Sequence, residues 1–128
     1  MPDPRHIAIT GASSGIGAAL AAPGIRLSLA WRDTARLSAV AQTCRDAGAE
    51  TSVTTFDVTD PVAAAHWINQ SDDIRPIDLA IANACISAGT GDRRETVEQA
   101  RAILEVNIDG VSNVILPAVM RMQLRRCG

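Results

Sequence analysis

The sequence contains no tyrosine and no lysine. All twelve of its basic residues are arginine, and its aromatic side chains are one phenylalanine and two tryptophans. No phenol and no amine side chain is therefore available to any reaction that these 128 residues perform. Apolar residues make up 47% of the chain but aromatic residues only 2%, so the core must be built from alanine, valine, isoleucine and leucine. The length is that of one domain large enough to bury such a core.

Cysteine and histidine are also scarce. The three cysteines, Cys44, Cys85 and Cys127, form an odd set without close spacing, which argues against a disulfide framework and against a zinc site. His6 stands at the start of a predicted strand and His66 in a predicted helix, and we expect both to be structural. The sequence therefore predicts no metal site.

Strong charge and long apolar runs are missing as well. The net charge is −2, which disfavours a nucleic acid or an anionic membrane surface as a partner. No stretch reaches the roughly 18 apolar residues of a membrane span. The first residues, Met-Pro-Asp-Pro-Arg, have no signal-peptide pattern. The sequence predicts a cytoplasmic protein that contacts neither membrane nor nucleic acid.

Apolar runs typical of strands alternate with helical patterns along the chain. The predicted strands are 5–10, 25–30, 51–56 and 77–83, and the predicted helices are 15–22, 34–47, 61–70 and 96–124. Such alternation predicts parallel strands joined by right-handed crossovers. In the last helix, Thr96 and Gln99 have the spacing of a capping box, whereas Gly110 and Pro117 should bend or weaken it.

A glycine-rich turn follows the first predicted strand. It reads Thr10-Gly11-Ala12-Ser13-Ser14-Gly15-Ile16-Gly17 and opens an alanine-rich helical segment. The backbone N–H groups of such a turn can approach a phosphate group at the start of a helix. An ordinary tight turn is the alternative interpretation. A strand, a glycine turn and a helix in this order predict half of a doubly wound parallel sheet, with the strand order 3-2-1-4.

Four motifs resemble the short-chain dehydrogenase/reductase family. They are the glycine turn at Gly11, Gly15 and Gly17, Asp57-Val58 after the third strand, Asn83-Ala84 after the fourth, and Asn107 in the last helix. They occur in the order of the family across nearly the whole chain. The resemblance implies an α/β, Rossmann-like fold, truncated to about four strands, in which residues 1–128 form a single NAD(P)-binding domain that is incomplete at its carboxyl end.

The resemblance also implies which residues bind the dinucleotide. Those expected to line the cofactor are Gly11, Ser13, Ser14, Gly15, Ile16, Gly17, Arg32, Asp57, Val58, Asn83 and Ala84. In the family, the residue equivalent to Asp57 bonds the adenine, although a cap at the strand end would also explain this aspartate. Asn83 alternatively ties neighbouring strands together through backbone hydrogen bonds.

Arg32 follows the second predicted strand, where folds of this kind meet the 2′ position of the ribose. An arginine there attracts the 2′-phosphate of NADP, whereas NAD-preferring relatives carry an aspartate at the position of Trp31. Trp31 either stacks on the adenine or covers the edge of the sheet, and Arg32 is alternatively a solvated turn residue. The sequence favours NADP over NAD as the cofactor.

The catalytic set that the resemblance implies is present only in part. The family uses an Asn, a Ser, a Tyr and a Lys, and Asn107, which supports a water relay to the lysine, is the only member found here. Because the tyrosine is the general acid/base and the lysine lowers its pKa, we expect the chain to be inactive alone. As an NAD(P)-dependent oxidoreductase it would transfer hydride between NADP(H) and an alcohol or carbonyl. The alternatives are a non-catalytic dinucleotide-binding or interaction module and a decayed gene fragment.

Two further departures from the family pattern concern local structure. Cys85 replaces a glycine of the family, which would strain the backbone if that position needs a positive φ. A buried small cysteine is the alternative. The first helix, 15–22, is about one turn shorter than is usual in the family. The sequence does not identify the small-molecule substrate. The long last helix is a candidate surface for a homo-oligomer.

Overall fold

The computed structural model describes residues 4–13, 15–87, 89, 91 and 94–126. The elements in chain order are β1 His6–Thr10, α1 Ile16–Leu20, β2 Arg26–Trp31, α2 Thr34–Asp46, β3 Glu50–Thr55, α3 Pro61–Ile74, β4 Leu79–Ala82, α4 Val97–Leu104, a π-helical segment Glu105–Asp109, and α5 Gly110–Arg125. The four strands are parallel and lie in the order β3-β2-β1-β4. The predicted α/β class and strand order are thus confirmed.

Helices cover both faces of the sheet and bury β1 along its whole length. On one face, Ile7 and Ile9 of β1 belong to a cluster that includes the buried side of α2. On the other face, Ala8 belongs to a cluster with Trp67 of α3 and Val114 of α5. A parallel strand that is covered on both faces must be apolar at nearly every position, which explains the unbroken run in β1.

Side chains cap the first turns of three helices. Asp33 and Asp60 each accept two hydrogen bonds from the first N–H groups of α2 and α3. The capping box of α4 is confirmed: Gln99 N–H donates to Thr96 Oγ1 at 3.1 Å, and Thr96 N–H donates to Gln99 Oε1 at 2.9 Å. These bonds satisfy N–H groups that have no partner inside a helix, and they fix where each helix begins.

The end of α3 differs from the prediction. α3 continues to Ile74 instead of ending near 70, because its last turn is tied to α5. The buried carboxylate of Asp72 pairs with Arg121 and Arg125 and accepts a hydrogen bond from Ile77 N–H at 2.9 Å. Burial alone would raise the pKa of Asp72, but these hydrogen bonds outweigh it and lower that pKa.

The last three helical elements form one continuous helix of 29 residues, Val97–Arg125. The predicted interruptions do not end it: Pro117 lies inside α5, and the departure from α geometry lies at Glu105–Asp109, immediately before Gly110. By length and composition alone this helix would pass for a membrane span, although polar residues interrupt it and no run of 18 consecutive apolar residues occurs, as expected. Only 17% of its most apolar 18 residues are buried in the chain, so apolar surface remains open.

Candidate dinucleotide site

The carboxyl ends of all four strands meet at one edge of the sheet. β1 ends at Thr10 and leads into the glycine turn, β2 ends at Trp31, β3 at Thr55 and β4 at Ala82. Ligands of doubly wound sheets bind outside this edge, where the strand order reverses, which here is between β1 and β4. The residues predicted to line the cofactor follow these strand ends, so the fold brings them to one edge. Ser14, which was also predicted, lies outside the described residues.

Gly11 packs against the chain that follows β4. Its φ is +65°, and a Cβ placed on it would lie 2.6 Å from the backbone nitrogen of Ala84 and 2.7 Å from the carbonyl oxygen of Asn83. Asn83 Nδ2 donates to the Gly11 carbonyl at 3.2 Å, and Ala84 N–H donates to the Thr10 hydroxyl at 3.4 Å. Only glycine fits here. Asn83 therefore ties the ends of β1 and β4 together, as its alternative interpretation predicts.

The other two glycines of the turn have different surroundings. No atom of the described residues lies within 4 Å of a Cβ placed on Gly15, so the turn is open on this side. A Cβ on Gly17 would lie 3.4 Å from the Leu29 side chain, which is an ordinary contact between α1 and β2. Ser13 is half-buried in the turn, and Ile16 is exposed at the start of α1.

The helix behind the turn is very short. α1 has five residues, fewer than the predicted 15–22, and neither a side-chain cap nor an acidic residue supports its first turn. The dipole of a helix grows from aligned peptide units, so that of α1 is small. Anion binding at this place must therefore depend on the backbone N–H groups of the turn itself.

A cavity of about 460 Å³ opens beside the carboxyl end of β2. It is lined by Trp31, Arg32, Asp33 and Arg36. The guanidinium carbon of Arg32 lies 5.9 Å from the centre of the Trp31 ring, within cation–π range. Arg36 Nε lies 3.8 Å from a carboxylate oxygen of Asp33. Arg36 was not among the residues predicted from the sequence, although its place in the first turn of α2, four residues after Arg32, was an available signal.

Asp57 lies just beyond β3, and its carboxylate forms hydrogen bonds within its own loop. Its Oδ1 accepts hydrogen bonds from Thr59 N–H at 3.0 Å and from the Thr59 hydroxyl at 2.9 Å. The bond from the Thr59 backbone contributes most to lowering the pKa of Asp57, against the opposing effect of burial, and the positive charge of Arg32 lowers it further. The cap at the strand end is therefore present, while contact with the adenine stays a prediction.

Val58 supports the start of α5. A Cβ placed on Gly110 would lie 2.7 Å from Val58 Cγ2, so the glycine allows the helix to approach this side chain closely. Asn113 Nδ2 donates to the Val58 carbonyl at 2.9 Å. The sequence suggested Gly110 only as a weak point of the helix and gave no sign of the bond from Asn113.

Asn107 lies in the middle of the π-helical segment. Its Oδ1 accepts from Ile86 N–H and its Nδ2 donates to the Ile86 carbonyl, both at 2.9 Å. The widened helical turn brings the carboxamide against the loop that follows β4, and such turns are frequent at functional sites. Asn107 is thus a positioning residue for this loop. The water relay that the resemblance implies for Asn107 stays a prediction.

Replacing Asn107 with alanine is expected to loosen the loop after β4 without unfolding the chain. The change leaves Ile86 N–H and C=O without their side-chain partner, which we expect to cost about 1–3 kcal/mol. Urea unfolding followed by circular dichroism measures the loss. Ser112→Ala is the control, because the Ser112 hydroxyl is bonded only to the Ile108 carbonyl one turn back. Equal stability of the two variants would contradict the positioning role.

Cys85 is exposed, and its backbone is unstrained. Among the described residues, Arg126 is the only non-glycine residue with a positive φ. The condition for strain at Cys85, a positive φ, is therefore not met, and the alternative of a buried cysteine is wrong. Cys44 is buried, and Cys127 lies outside the described residues. In the described part of the chain, no group of three or more histidine, cysteine or acidic residues is placed to hold a metal ion.

A family model described as short chain dehydrogenase matches residues 5–128. Among curated relatives, the 3-dehydrosphinganine reductase TSC10B of Arabidopsis thaliana is 34% identical over 126 residues, which cover 94% of this chain and 37% of the relative. An uncharacterized oxidoreductase of Myxococcus xanthus is 30% identical over 129 residues, which cover 97% of this chain and 51% of the relative. The chain thus spans about half the length of these relatives, or less.

Solved structures share the fold. A short-chain dehydrogenase from Sphingobium yanoikuyae in complex with NADPH has a TM-score of 0.80 and 28% identity, covering 96% of this chain and 50% of that one. An NAD+-bound xylitol dehydrogenase has a TM-score of 0.85 and 21% identity, covering 97% of this chain and 50% of that one. Together with the parallel sheet, the glycine turn and the match over residues 5–128, these similarities show that the chain belongs to the short-chain dehydrogenase family.

Proposed function

We propose that this chain forms the cofactor-binding part of a short-chain oxidoreductase, that it prefers NADP(H) to NAD(H), and that it transfers no hydride on its own. A dinucleotide is the cofactor that family membership implies. One similar structure holds NADPH and another NAD+, so similarity alone selects neither. The observation that carries the preference is the pair of arginines in the cavity beside β2.

This cavity suits the adenosine end of NADP. Arg32 and Arg36 offer two guanidinium groups to the oxygens of a 2′-phosphate, and the Trp31 ring lies beside them. An NAD site in this fold uses an acidic residue to bond the ribose hydroxyls. Asp33 also lines the cavity, but its Oδ1 already accepts the N–H groups of Ala35 and Arg36 as the cap of α2. Its other oxygen, Oδ2, lies 3.8 Å from Arg36 Nε, so both carboxylate oxygens of Asp33 already have partners.

The remaining groups of the cofactor have room along the same edge of the sheet. The open side of the turn at Gly15 leaves space for the pyrophosphate against backbone N–H groups. Asp57 Oδ1 is engaged by Thr59, so a bond to the adenine would use the other carboxylate oxygen. Asn83 and Asn107 hold the loop after β4 in place, and their role is to shape the site rather than to react.

The chain holds no evident group for the proton that a reduction requires. NADPH, if bound, would supply hydride to a carbonyl carbon, and the carbonyl oxygen would need a proton from a positioned acid. The sequence has no tyrosine and no lysine. His6 is buried at the amino end of β1, His66 is exposed on α3, and Asn107 is bonded to Ile86. Reduction would therefore need an acid from another polypeptide segment.

A non-catalytic dinucleotide-binding or interaction module is the second candidate. The missing tyrosine and lysine favour it, and so does the apolar surface of the last helix. The large apolar side chains exposed there by 55–82% are Val97, Leu104, Ile108, Leu116, Met120 and Leu124. A second copy of the chain is the partner that we propose for this surface. The cytoplasmic location and the lack of membrane and nucleic-acid partners stay predictions.

Isothermal titration calorimetry with NADP and NAD tests the preference. We expect the unmodified chain to bind NADP more tightly, and Arg32→Ala to weaken NADP binding about tenfold or more while leaving NAD binding nearly unchanged. The reason is that the arginine would make charge-assisted bonds to a phosphate that NAD lacks. Arg36→Ala should act in the same direction.

Arg101→Ala is the matched control, because it removes the same charge from an exposed position on α4. It should leave both affinities unchanged. Equal affinity for the two cofactors, unaltered by Arg32→Ala and Arg36→Ala, would show that the arginines are solvated turn residues and would remove the case for NADP.

A further inference from the structure

His6 is buried at the amino end of β1, at the opposite end of the sheet from the dinucleotide site. The residue is 0% exposed. Its Nδ1 lies 2.6 Å from the Arg75 carbonyl oxygen, and its Nε2 lies 2.9 Å from Ser28 Oγ. Ser28 Oγ lies 3.2 Å from Ser52 Oγ. The ring therefore joins β1 to the segment after α3 and, through two serines, to β2 and β3.

The acceptor at Nδ1 fixes where the protons lie. A carbonyl oxygen can only accept, so Nδ1 carries a proton and donates to Arg75. In the neutral ring, Nε2 then accepts from the Ser28 hydroxyl, whose oxygen is able to accept from Ser52. Protonation reverses these two outer bonds: Nε2–H donates to Ser28, and Ser28 donates to Ser52. No hydrogen bond is lost in this change. The difference between the two states is the positive charge on the buried ring, which the neighbouring groups must stabilise.

The surroundings disfavour a positive ring. The charged groups at this end of the sheet are Arg5 next to His6, Arg26 on β2, Glu50 on β3, Arg75 and Asp78 between α3 and β4, and Asp72, Arg121 and Arg125 where α3 meets α5. Arg26 and Arg75 repel the imidazolium, and Asp78 attracts it. Glu50 is paired with Arg26 at 3.0 Å, and Asp78 Oδ2 already accepts the N–H groups of Arg5 and His6.

We propose that His6 is an acid-sensitive lock, whose neutral ring holds the amino end of β1 against the segment before β4 and whose protonation places a charge in this buried site and so weakens that hold. Burial lowers the pKa of His6, the hydrogen bond to Arg75 opposes this in part, and Arg26 and Arg75 lower the pKa further. At a pH between the folded and unfolded pKa values, the unfolded chain binds more protons, so stability rises with pH. The contribution is complete above the unfolded value of about 6.5 and is lost as the pH falls below it.

Nuclear magnetic resonance of the two imidazoles tests the lock directly. The chain has only two histidines, so the signals of His6 and His66 can be assigned with His66→Gln. We expect His6 to titrate below the ordinary histidine value of about 6.5 and to be the Nδ1–H tautomer at neutral pH. A His6 that titrates at or above that ordinary value, or that carries its neutral proton on Nε2, would overturn the proposal.

Urea unfolding measures the consequence. Between about pH 7.5 and about pH 5.5, where ordinary carboxyl groups stay charged, the unfolding midpoint of the unmodified chain should fall. We expect His66→Gln to retain this fall and His6→Gln to lose it. If His6→Gln does not fold, two measurements still test the proposal. They are the imidazole titration and the comparison of the unfolding midpoints of the unmodified chain and His66→Gln. A midpoint that does not change with pH in the unmodified chain, or a fall that His66→Gln removes, would contradict the lock.

Discussion

Gly11→Ala is expected to destabilise the chain more than any other single substitution in the glycine turn. The new Cβ would lie 2.6–2.7 Å from backbone atoms of Asn83 and Ala84, and the φ of +65° disfavours any side chain. Overpacking and a left-handed backbone together cost about 2–5 kcal/mol. Since neither backbone can move without separating β1 from β4, we expect a large fall in the urea midpoint or a chain that does not fold.

Two other glycines separate the causes of this effect. Gly24 has a φ of +83° but no neighbouring atom within 4 Å among the described residues, so Gly24→Ala measures the backbone strain alone. Gly15 has a negative φ and similarly open surroundings, so Gly15→Ala should preserve the fold. If Gly11→Ala cost no more than Gly24→Ala, the contact with Asn83 and Ala84 would contribute nothing to stability.

The chain alone is expected to show no NADPH-dependent reduction of ketones or quinones above background. A positioned acid or base contributes about 10²–10⁴-fold to such a rate, and the orientation of the substrate contributes a further large factor. The sequence offers neither tyrosine nor lysine for the proton. The measurement is the loss of NADPH absorbance over a panel of carbonyl substrates, with Gly15→Trp, which fills the open side of the turn, as the control that blocks the cofactor.

Turnover by the unmodified chain that Gly15→Trp abolishes would contradict this expectation and would require a different acid. Cys85 and Asp109 are then the first substitutions to make, because Cys85 is exposed after β4 and Asp109 ends the π-helical segment. Activity that appears only when a second chain carrying Ser and Tyr-x-x-x-Lys is added would instead support the cofactor-binding part of a larger enzyme.

The order of the sheet was predictable because its signals are local. Each strand is bounded by a turn or a cap, which makes the elements recognisable. The glycine turn after β1 is typical of the doubly wound sheets in which the first strands have the order 3-2-1-4. The placement of Gly11, Asp57 and Asn83 at one edge follows from the same rules. The resemblance to the short-chain dehydrogenase/reductase family singled out these residues, and the parallel topology brings them to the same edge.

What the sequence did not predict depends on contacts between distant residues. α3 extends to Ile74 because Asp72 meets two arginines of α5, about fifty positions later in the chain. β4 begins at Leu79 rather than at 77. Ile77 N–H is bonded to the Asp72 side chain. Likewise, Asn107 bonds to Ile86 because it lies in a widened helical turn, and no local sequence pattern predicted that turn.

The brevity of α1 bears on how tightly any ligand can bind at the turn. Its five residues bury only Gly17, and the hydrogen bond from Ala19 N–H to the Gly15 carbonyl closes its turn at 2.9 Å. A helix of this length does not persist in water unaided, and segments with few buried contacts open far more often than the core. The apparent affinity of a ligand falls in proportion to the fraction of molecules that are ready to bind it. The population of a single helical turn would therefore limit the affinity of the site, however many contacts the bound state makes.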